Sequence, residues 1–67
     1  INLIGQEVEI VVDFFDEIEQ YYVCRTSKNS PDVDFYVLVD NNQLKVGEFY
    51  KARINEYFEG FFIGEVL

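Results

Sequence analysis

Apolar and polar positions alternate with a period of two near the start of the chain, which is the spacing of a half-buried β-strand. The alternating residues are Val8, Ile10, Val12 and Phe14 on one face and Glu7, Glu9, Val11 and Asp13 on the other. Further strand-sized apolar segments follow, without a convincing helical period. The pattern predicts five strands, at about residues 6–15, 20–26, 34–39, 49–57 and 61–66.

Turn-forming residues separate the predicted strands. The predicted turns and loops are residues 16–19, 26–32, 40–43 and 59–60. Gly47 is expected to adopt a positive φ, and Gly64 inside a strand indicates a bulge or a close backbone approach. Residues 1–67 therefore predict one all-β domain, a partly closed barrel, because closure removes exposed strand edges. An open meander is the alternative.

All twelve aromatic residues occur in adjacent pairs. The pairs are Phe14-Phe15, Tyr21-Tyr22, Phe35-Tyr36, Phe49-Tyr50, Tyr57-Phe58 and Phe61-Phe62. Neighbours in a strand point to opposite faces, so each pair in regular strand places one ring in the core and one outside. The outer rings are candidates for stacking on nucleic-acid bases or for packing against another domain. Alternatively, both rings of a pair at a strand end pack under loops.

The charge is strongly negative, with thirteen acidic residues against five basic ones and a formal net charge of −8. Residues 1–24 contain six acids and no Lys or Arg. These acids are Glu7, Glu9, Asp13, Asp16, Glu17 and Glu19. Such a surface repels phosphate and favours a basic partner, whose encounter it accelerates. The alternative is that the charge serves only solubility.

The residue types exclude several kinds of catalytic site. The chain has no His and one Cys, Cys24, so it cannot form the usual zinc site, a Cys–His nucleophile or a Ser–His–Asp triad. Cys24 is interpreted as a small apolar residue in a strand. No apolar run reaches the 18 residues of a membrane span. We therefore expect no enzyme activity from this chain alone.

Four of the five basic residues define an alternative, RNA-binding site. Lys51 and Arg53 share one face of a predicted strand, and Arg25 and Lys28 flank the long loop. Exposed rings such as Tyr21, Tyr36 or Tyr50 would supply the stacking that single-stranded RNA binders use. The simpler interpretation is that these cations pair with the surplus acids at the surface.

Three segments resemble those of TRAM domains in order and spacing. Residues 24–34, Cys-Arg-Thr-Ser-Lys-Asn-Ser-Pro-Asp-Val-Asp, are similar to the family's Gly-Arg-Thr/Ser segment followed by Pro-Glu/Asp-Val/Ile-Asp. Residues 44–49, Leu-Lys-Val-Gly-Glu-Phe, resemble the family's later Leu-Lys-x-Gly-Asp-Phe segment. Residues 56–66 resemble the closing segment of the family, Glu-Tyr-Asp-Leu followed by a Gly and a Val. Cys24 stands where the family usually has Gly, and residues 58–61 replace a compact Asp-Leu region with a longer aromatic one. The likeness implies a small five-stranded antiparallel OB-like barrel.

Residues 30–34, Ser-Pro-Asp-Val-Asp, are most like TRAM domains of radical S-adenosylmethionine enzymes that methylthiolate an aspartate of a small-subunit ribosomal protein. This resemblance implies a carboxyl-terminal fragment of a longer cytoplasmic enzyme, whose other parts hold 4Fe-4S clusters and S-adenosylmethionine. It also implies two partners, the basic ribosomal protein and the catalytic domain of the same chain. The cluster motif of that class needs three cysteines, which this chain lacks.

The acidic surface is therefore predicted to dock a basic protein substrate. The expected contact residues are Glu7, Glu9, Asp13, Asp16, Glu17, Glu19, Asp32 and Asp34. One alternative is an RNA-binding TRAM domain of a tRNA methylthiotransferase, using Arg25, Lys28, Lys51 and Arg53. Another is a purely structural brace of the parent enzyme.

Overall fold

The structure, a computed structural model, describes residues 3–27, 36–40 and 43–67. Five strands follow one another in these residues, and none of the described residues is helical. The strands are β1 (Glu7–Asp16), β2 (Tyr21–Thr26), β3 (Tyr36–Val39), β4 (Phe49–Phe58) and β5 (Phe61–Val66). Each predicted strand is confirmed to within two residues, where it falls on described residues. Most of the loop predicted at residues 26–32, and part of the turn at 40–43, lie outside them.

The strands close into a barrel in the order β1-β2-β3-β5-β4, and β4 returns to β1. Closure excludes the open meander. The predicted fold class, a small five-stranded all-β barrel, is confirmed, but the sheet is mixed and not purely antiparallel, because β3 and β5 pair in parallel. Four of the five pairings are antiparallel. A closed ring with an odd number of strands cannot alternate in direction at every step, so one parallel pair is unavoidable.

The first half of β1 pairs with β4 and its second half pairs with β2, because the strand bends between the two halves. Residues 7–11 pair with β4 and residues 10–16 pair with β2. The register with β2 shifts between Val12 and Phe14, which marks a bulge at Asp13. A bulge increases local twist and turns the strand, so the second half of β1 can leave β4 and follow β2.

Small aliphatic side chains fill the barrel. The buried core consists of Leu3, Ile10, Val12, Cys24, Val37, Val39, Ala52 and Ile54. No described ring belongs to it, because the interior of a narrow barrel has little room for large side chains. Tyr22 and Tyr50 instead cover one end, where their hydroxyls accept hydrogen bonds from the backbone N–H groups of Leu44 (3.1 Å) and Lys45 (2.9 Å).

Three aromatic pairs follow the predicted alternation. Tyr22, Tyr50 and Phe62 pack against the core, while the neighbour of each points outward. The other two pairs with both members described do not alternate. Phe14-Phe15 is exposed on both sides of the strand beside the bulge, and Tyr57-Phe58 is exposed at the end of β4. Alternation requires that one face of a strand lies on the core and the other faces solvent, and local bending at bulges and strand ends removes this difference between the faces.

Three features of the backbone were predicted correctly. Glu59 and Gly60 join β4 to β5 with φ values of 49° and 90°, the positive angles that suit a short hairpin turn. Gly64 lies opposite a register shift in β4 between Ile54 and Glu56, where the backbone of β4 approaches it closely. Gly47 also has the expected positive φ, 90°. No helix in the described part of the chain is long and apolar enough to cross a membrane.

Candidate functional site

A row of apolar residues crosses the outer side of the barrel. The register places Phe14 of β1 opposite Val23 of β2, and Val23 opposite Leu38 of β3. Leu38 in turn faces Ile63 of β5. Cys24 is fully buried in the core, so its neighbour Val23 projects from the opposite face of β2. Contiguous apolar residues on an outer face are typical of a contact surface.

Three of these residues, Phe14, Val23 and Leu38, line a groove of about 270 Å³, which we call the aromatic groove. It is lined by Phe14, Asp16, Tyr21, Val23, Tyr36, Leu38 and Phe61. Val23 and Leu38 form its floor and are only 8 % and 9 % exposed, although both face outward. The rings of Phe14, Tyr36 and Phe61 are 52 %, 45 % and 40 % exposed, and the centroids of the last two lie 6.3 Å apart. The rings shield the floor and remain open to a ligand.

One end of the groove adjoins the β1–β2 turn, residues 16–19, which we call the acidic turn. The carboxylate oxygen Oδ1 of Asp16 accepts hydrogen bonds from the backbone N–H groups of Ile18 (3.0 Å) and Glu19 (3.1 Å). The N–H of Gln20 donates to the carbonyl oxygen of Asp16 at 2.7 Å. These bonds hold the turn while Glu17, Ile18 and Glu19 remain exposed. Asp16 thus belongs both to the turn and to the groove.

The acidic turn affects the chemistry of Tyr21, which lines the groove. Desolvation raises the pKa of Tyr21, and the negative charges of Glu19 and Asp16 raise this pKa further. The phenol therefore stays protonated, and it can donate a hydrogen bond.

The other predicted acids that the structure describes, Glu7, Glu9 and Asp13, do not line the groove and have partners of their own. Asp13, at the bulge, forms an ion pair with Arg25, whose Nε lies 2.8 Å from its Oδ2. Glu7 pairs with Arg53, whose Nη2 lies 3.6 Å from its Oε2. Glu9 accepts a hydrogen bond from the hydroxyl of Ser27 at 2.8 Å. Six of the eight predicted contact acids fall on described residues, and three of these six, Asp16, Glu17 and Glu19, belong to the acidic turn next to the groove.

The candidate RNA-binding residues are divided among strands. Lys51 and Arg53 lie on the outer face of β4, as predicted, while Arg25 lies on β2 and the strand β1 separates the two. Both arginines of the chain pair with carboxylates, which confirms the simpler interpretation for these two cations. Tyr50 packs against the core and is not available for stacking. Tyr36 and Tyr21 do line the groove. Asp32, Asp34 and Lys28 lie outside the described residues.

The sequence interpretation did not identify Val23, Leu38, Phe14 and Phe61 as parts of a site. One available signal was that β2 and β3 are apolar at consecutive positions, in Tyr22-Val23-Cys24 and in residues 36–39. A strand covered on one face alternates, whereas a strand covered on both faces is continuously apolar. These two segments therefore indicated a second covered face.

Metal-ligating groups and the single thiol are the remaining candidates for chemistry among the described residues. No group of three or more potential metal-ligating side chains occurs among them. Burial raises the pKa of the Cys24 thiol to about 12, and the charge of Asp13 contributes to this shift. The thiol is therefore neutral and enclosed, which makes it a poor nucleophile and a poor metal ligand.

Comparison with known proteins agrees with this architecture. A profile of the TRAM domain matches residues 4–67. Among similar proteins, the ribosomal protein uS12 methylthiotransferase RimO of Phocaeicola vulgatus is 43 % identical over 53 residues, which are 76 % of this chain and 12 % of that protein. The RimO of Desulforamulus reducens is 35 % identical over 65 residues, 94 % of this chain and 15 % of that protein. The RimO of Bacteroides fragilis is 30 % identical over 66 residues, 96 % and 15 % of the two chains.

The chain thus spans about one seventh of the length of these relatives. The match covers all five strands and both sides of the aromatic groove. The resemblance predicted from three short segments is confirmed. This chain belongs to the TRAM domain family.

Proposed function

We propose that this domain recognises a basic protein substrate for a ribosomal protein methylthiotransferase and takes no part in the chemistry itself. One observation carries the proposal. The acidic turn adjoins an open apolar groove, and the two ion pairs among the described residues involve neither Asp16 nor Glu17 nor Glu19. This group of acids is therefore available to a cationic partner.

The relatives support the choice of partner, since their name states that they act on ribosomal protein uS12. Ribosomal proteins are basic as a class, and the present domain carries a formal net charge of −8. Complementary charge accelerates encounter and disfavours wrong partners. The same charge disfavours an RNA ligand, because RNA binding depends on cations that neutralise phosphates.

The proposal places the reaction in the remainder of a longer, cytoplasmic enzyme. A ribosomal protein methylthiotransferase would be a radical S-adenosylmethionine enzyme, and the 4Fe-4S clusters of that class need several thiolates. The chain has one cysteine, and that thiol is buried in the barrel, so these residues do not fit such a cluster. The domain would hold the substrate near a reaction centre supplied by the other domains.

The test compares two variants that each replace three carboxylates by amides and so change the net charge by the same amount. Asp16→Asn, Glu17→Gln and Glu19→Gln together neutralise the acidic turn, and Asn at position 16 keeps an oxygen for the turn hydrogen bonds. Glu48→Gln, Glu56→Gln and Glu59→Gln neutralise three exposed acids elsewhere. Affinity for purified uS12 is measured by calorimetry at physiological ionic strength. We expect about a tenfold loss for the first variant and under about threefold for the second.

Absence of uS12 binding to the unmodified domain would overturn the proposal, as would equal losses in the two variants. A tRNA anticodon stem-loop serves as the competing ligand. RNA binding that weakens when Lys51 and Arg53 are replaced would instead favour the RNA-binding alternative. Failure of both ligands to bind would favour a structural brace.

A further inference from the structure

The aromatic groove and Asp16 together form a site with the chemistry of a receptor for cationic side chains. We propose that the groove binds arginine side chains of an extended basic segment, each guanidinium lying on an aromatic ring within reach of the acidic turn. This inference rests on the proposed function and specifies which side chains of the protein substrate the domain binds.

The shape of the groove suits both the methylene stem and the guanidinium of an arginine side chain. Its floor, Val23 and Leu38, is apolar and can cover the methylene stem. Its walls include the exposed rings of Tyr36 and Phe61. A guanidinium that lies within about 6 Å of a ring centroid is attracted by the negative face of the ring.

The charge of the groove is suitable as well. Asp16 lies in its lining, and Glu19 is close enough to raise the pKa of Tyr21. Arg25, whose backbone pairs with that of Tyr36, is held by Asp13 at 2.8 Å and is not among the residues that line the groove. The guanidinium of Arg25 therefore leaves the rings of the groove open to a cation from outside.

Three other occupants fit less well. Lysine is more strongly hydrated than arginine and lacks its planar stacking face. A single-stranded RNA could stack its bases on the rings, but its phosphates would meet the acidic turn. A second copy of this chain carries the same charge of −8, which disfavours self-association.

The dimensions indicate the length of the segment. The lining of the groove crosses four neighbouring strands, from Phe14 on β1 to Phe61 on β5. With strands about 4.8 Å apart, this lining spans roughly 14 Å, which equals about four residues of extended peptide. Alternate side chains of such a peptide point to the same side. The groove therefore suits a segment of the form Arg-x-Arg.

The experiment compares two short peptides, acetyl-Gly-Arg-Gly-Arg-Gly-amide and its lysine equivalent, in NMR titrations of the isotope-labelled domain at physiological ionic strength. We expect the arginine peptide to bind about two- to fivefold more tightly, because the planar guanidinium stacks on a ring and is less strongly hydrated than the ammonium group of lysine. Shifts should concentrate on the groove. The variants Tyr36→Leu and Phe61→Leu, which keep apolar volume but remove a ring, should abolish the preference for arginine.

Phe49→Leu is the matched control, since Phe49 is an exposed ring on β4, outside the groove. This variant should retain the preference. Equal affinity for the two peptides would overturn the inference, as would shifts that avoid the groove. Stronger shifts of the groove with a hexauridylate than with the arginine peptide would overturn it in favour of base stacking. Groove shifts that depend on the concentration of the domain alone would overturn it in favour of self-association.

The outcomes for the two proposals are separable. If uS12 binds and responds to neutralisation of the acidic turn but not to Tyr36→Leu or Phe61→Leu, the proposed function stands and this inference fails. If the arginine peptide binds in the groove but uS12 does not bind at all, the groove chemistry stands and the proposed partner is wrong.

Discussion

A Cβ atom on Gly64 would lie 2.6 Å from the carbonyl oxygen of Arg53 on the neighbouring strand. This separation is shorter than van der Waals contact, and the obstructing atom belongs to the backbone. The close approach lies opposite the register shift of β4, and a side chain on β5 would force the two strands apart at this point.

Gly64→Ala is therefore expected to destabilise the domain by about 1–3 kcal/mol, the usual cost of overpacking. Urea unfolding followed by circular dichroism measures the change. Glu65→Ala, at the next and exposed position, is the control and should change stability by less than about 0.5 kcal/mol. Equal stability of Gly64→Ala and the wild type would show that β4 and β5 can separate at no cost.

The hydroxyl of Tyr22 provides a second test, because it accepts a partly buried hydrogen bond from the N–H of Leu44. Tyr22→Phe leaves that donor without its partner and should cost about 1 kcal/mol. Tyr57→Phe removes a hydroxyl from a ring that is 56 % exposed, and should change stability by less than about 0.5 kcal/mol. The two variants are compared by thermal and urea unfolding. If Tyr22→Phe did not change the stability, a water molecule would have replaced the hydroxyl as acceptor.

The alkaline stability of the domain should depend on Cys24. Burial, with a contribution from Asp13, raises the pKa of this thiol from 9.0 to about 12 in the folded state. Below pH 9 the thiol is neutral in both states and its contribution to stability is fully present. Above pH 9 the unfolded chain releases the proton first, so stability falls with rising pH until the pH passes about 12.

Urea unfolding at a series of pH values measures this loss in the wild type and in Cys24→Ala. The stability of the wild type should fall more steeply above pH 9, by up to about 1.4 kcal/mol per pH unit relative to the variant. Comparison with the variant removes the contribution of the tyrosines, which also ionise in this range. Parallel curves would contradict the prediction. In the folded protein, thiol reagents should react with Cys24 only at the rate of opening.

The ionisation of Tyr21 reports the potential in the aromatic groove. Its pKa is raised by desolvation and by the charges of Glu19 and Asp16. Glu19→Gln removes one of these charges and should lower the pKa of Tyr21 toward 10.0, the ordinary value. Titration of the ring signals by NMR measures the shift. Glu56→Gln, an exposed acid on β4, should leave this pKa unchanged. Equal effects of the two variants would show that only the net charge matters.

The strands were predictable because their cause is local. The alternation of Val8, Ile10 and Val12 with charged residues requires a half-buried strand, whatever packs against it. The Glu59-Gly60 bend and the special position of Gly64 follow from the conformational freedom of glycine and from its lack of a side chain. The parallel pair of β3 and β5 was missed because it depends on closure of the ring, which no single segment shows.

The candidate site was only partly predictable. Asp16, Glu17 and Glu19 were predicted as contact residues from the clustering of acids in the sequence, and the structure places Asp16 in the lining of the groove. Composition could not separate them from Asp13, which the bulge of β1 brings into contact with Arg25. This pairing depends on a register shift, and the alternating pattern of β1 does not reveal where such a shift occurs.

By itself, the sequence determined that the chain forms five strands with an apolar interior, that it is acidic, and that it lacks the residues for common catalytic sites. These properties depend on residue type and on spacing within single segments. Only the tertiary structure decided which rings share a surface. Phe14, Tyr36 and Phe61 are distant in the chain and meet because closure places β1, β2, β3 and β5 side by side. Contacts between distant segments depend on strand order and register, which local patterns do not encode.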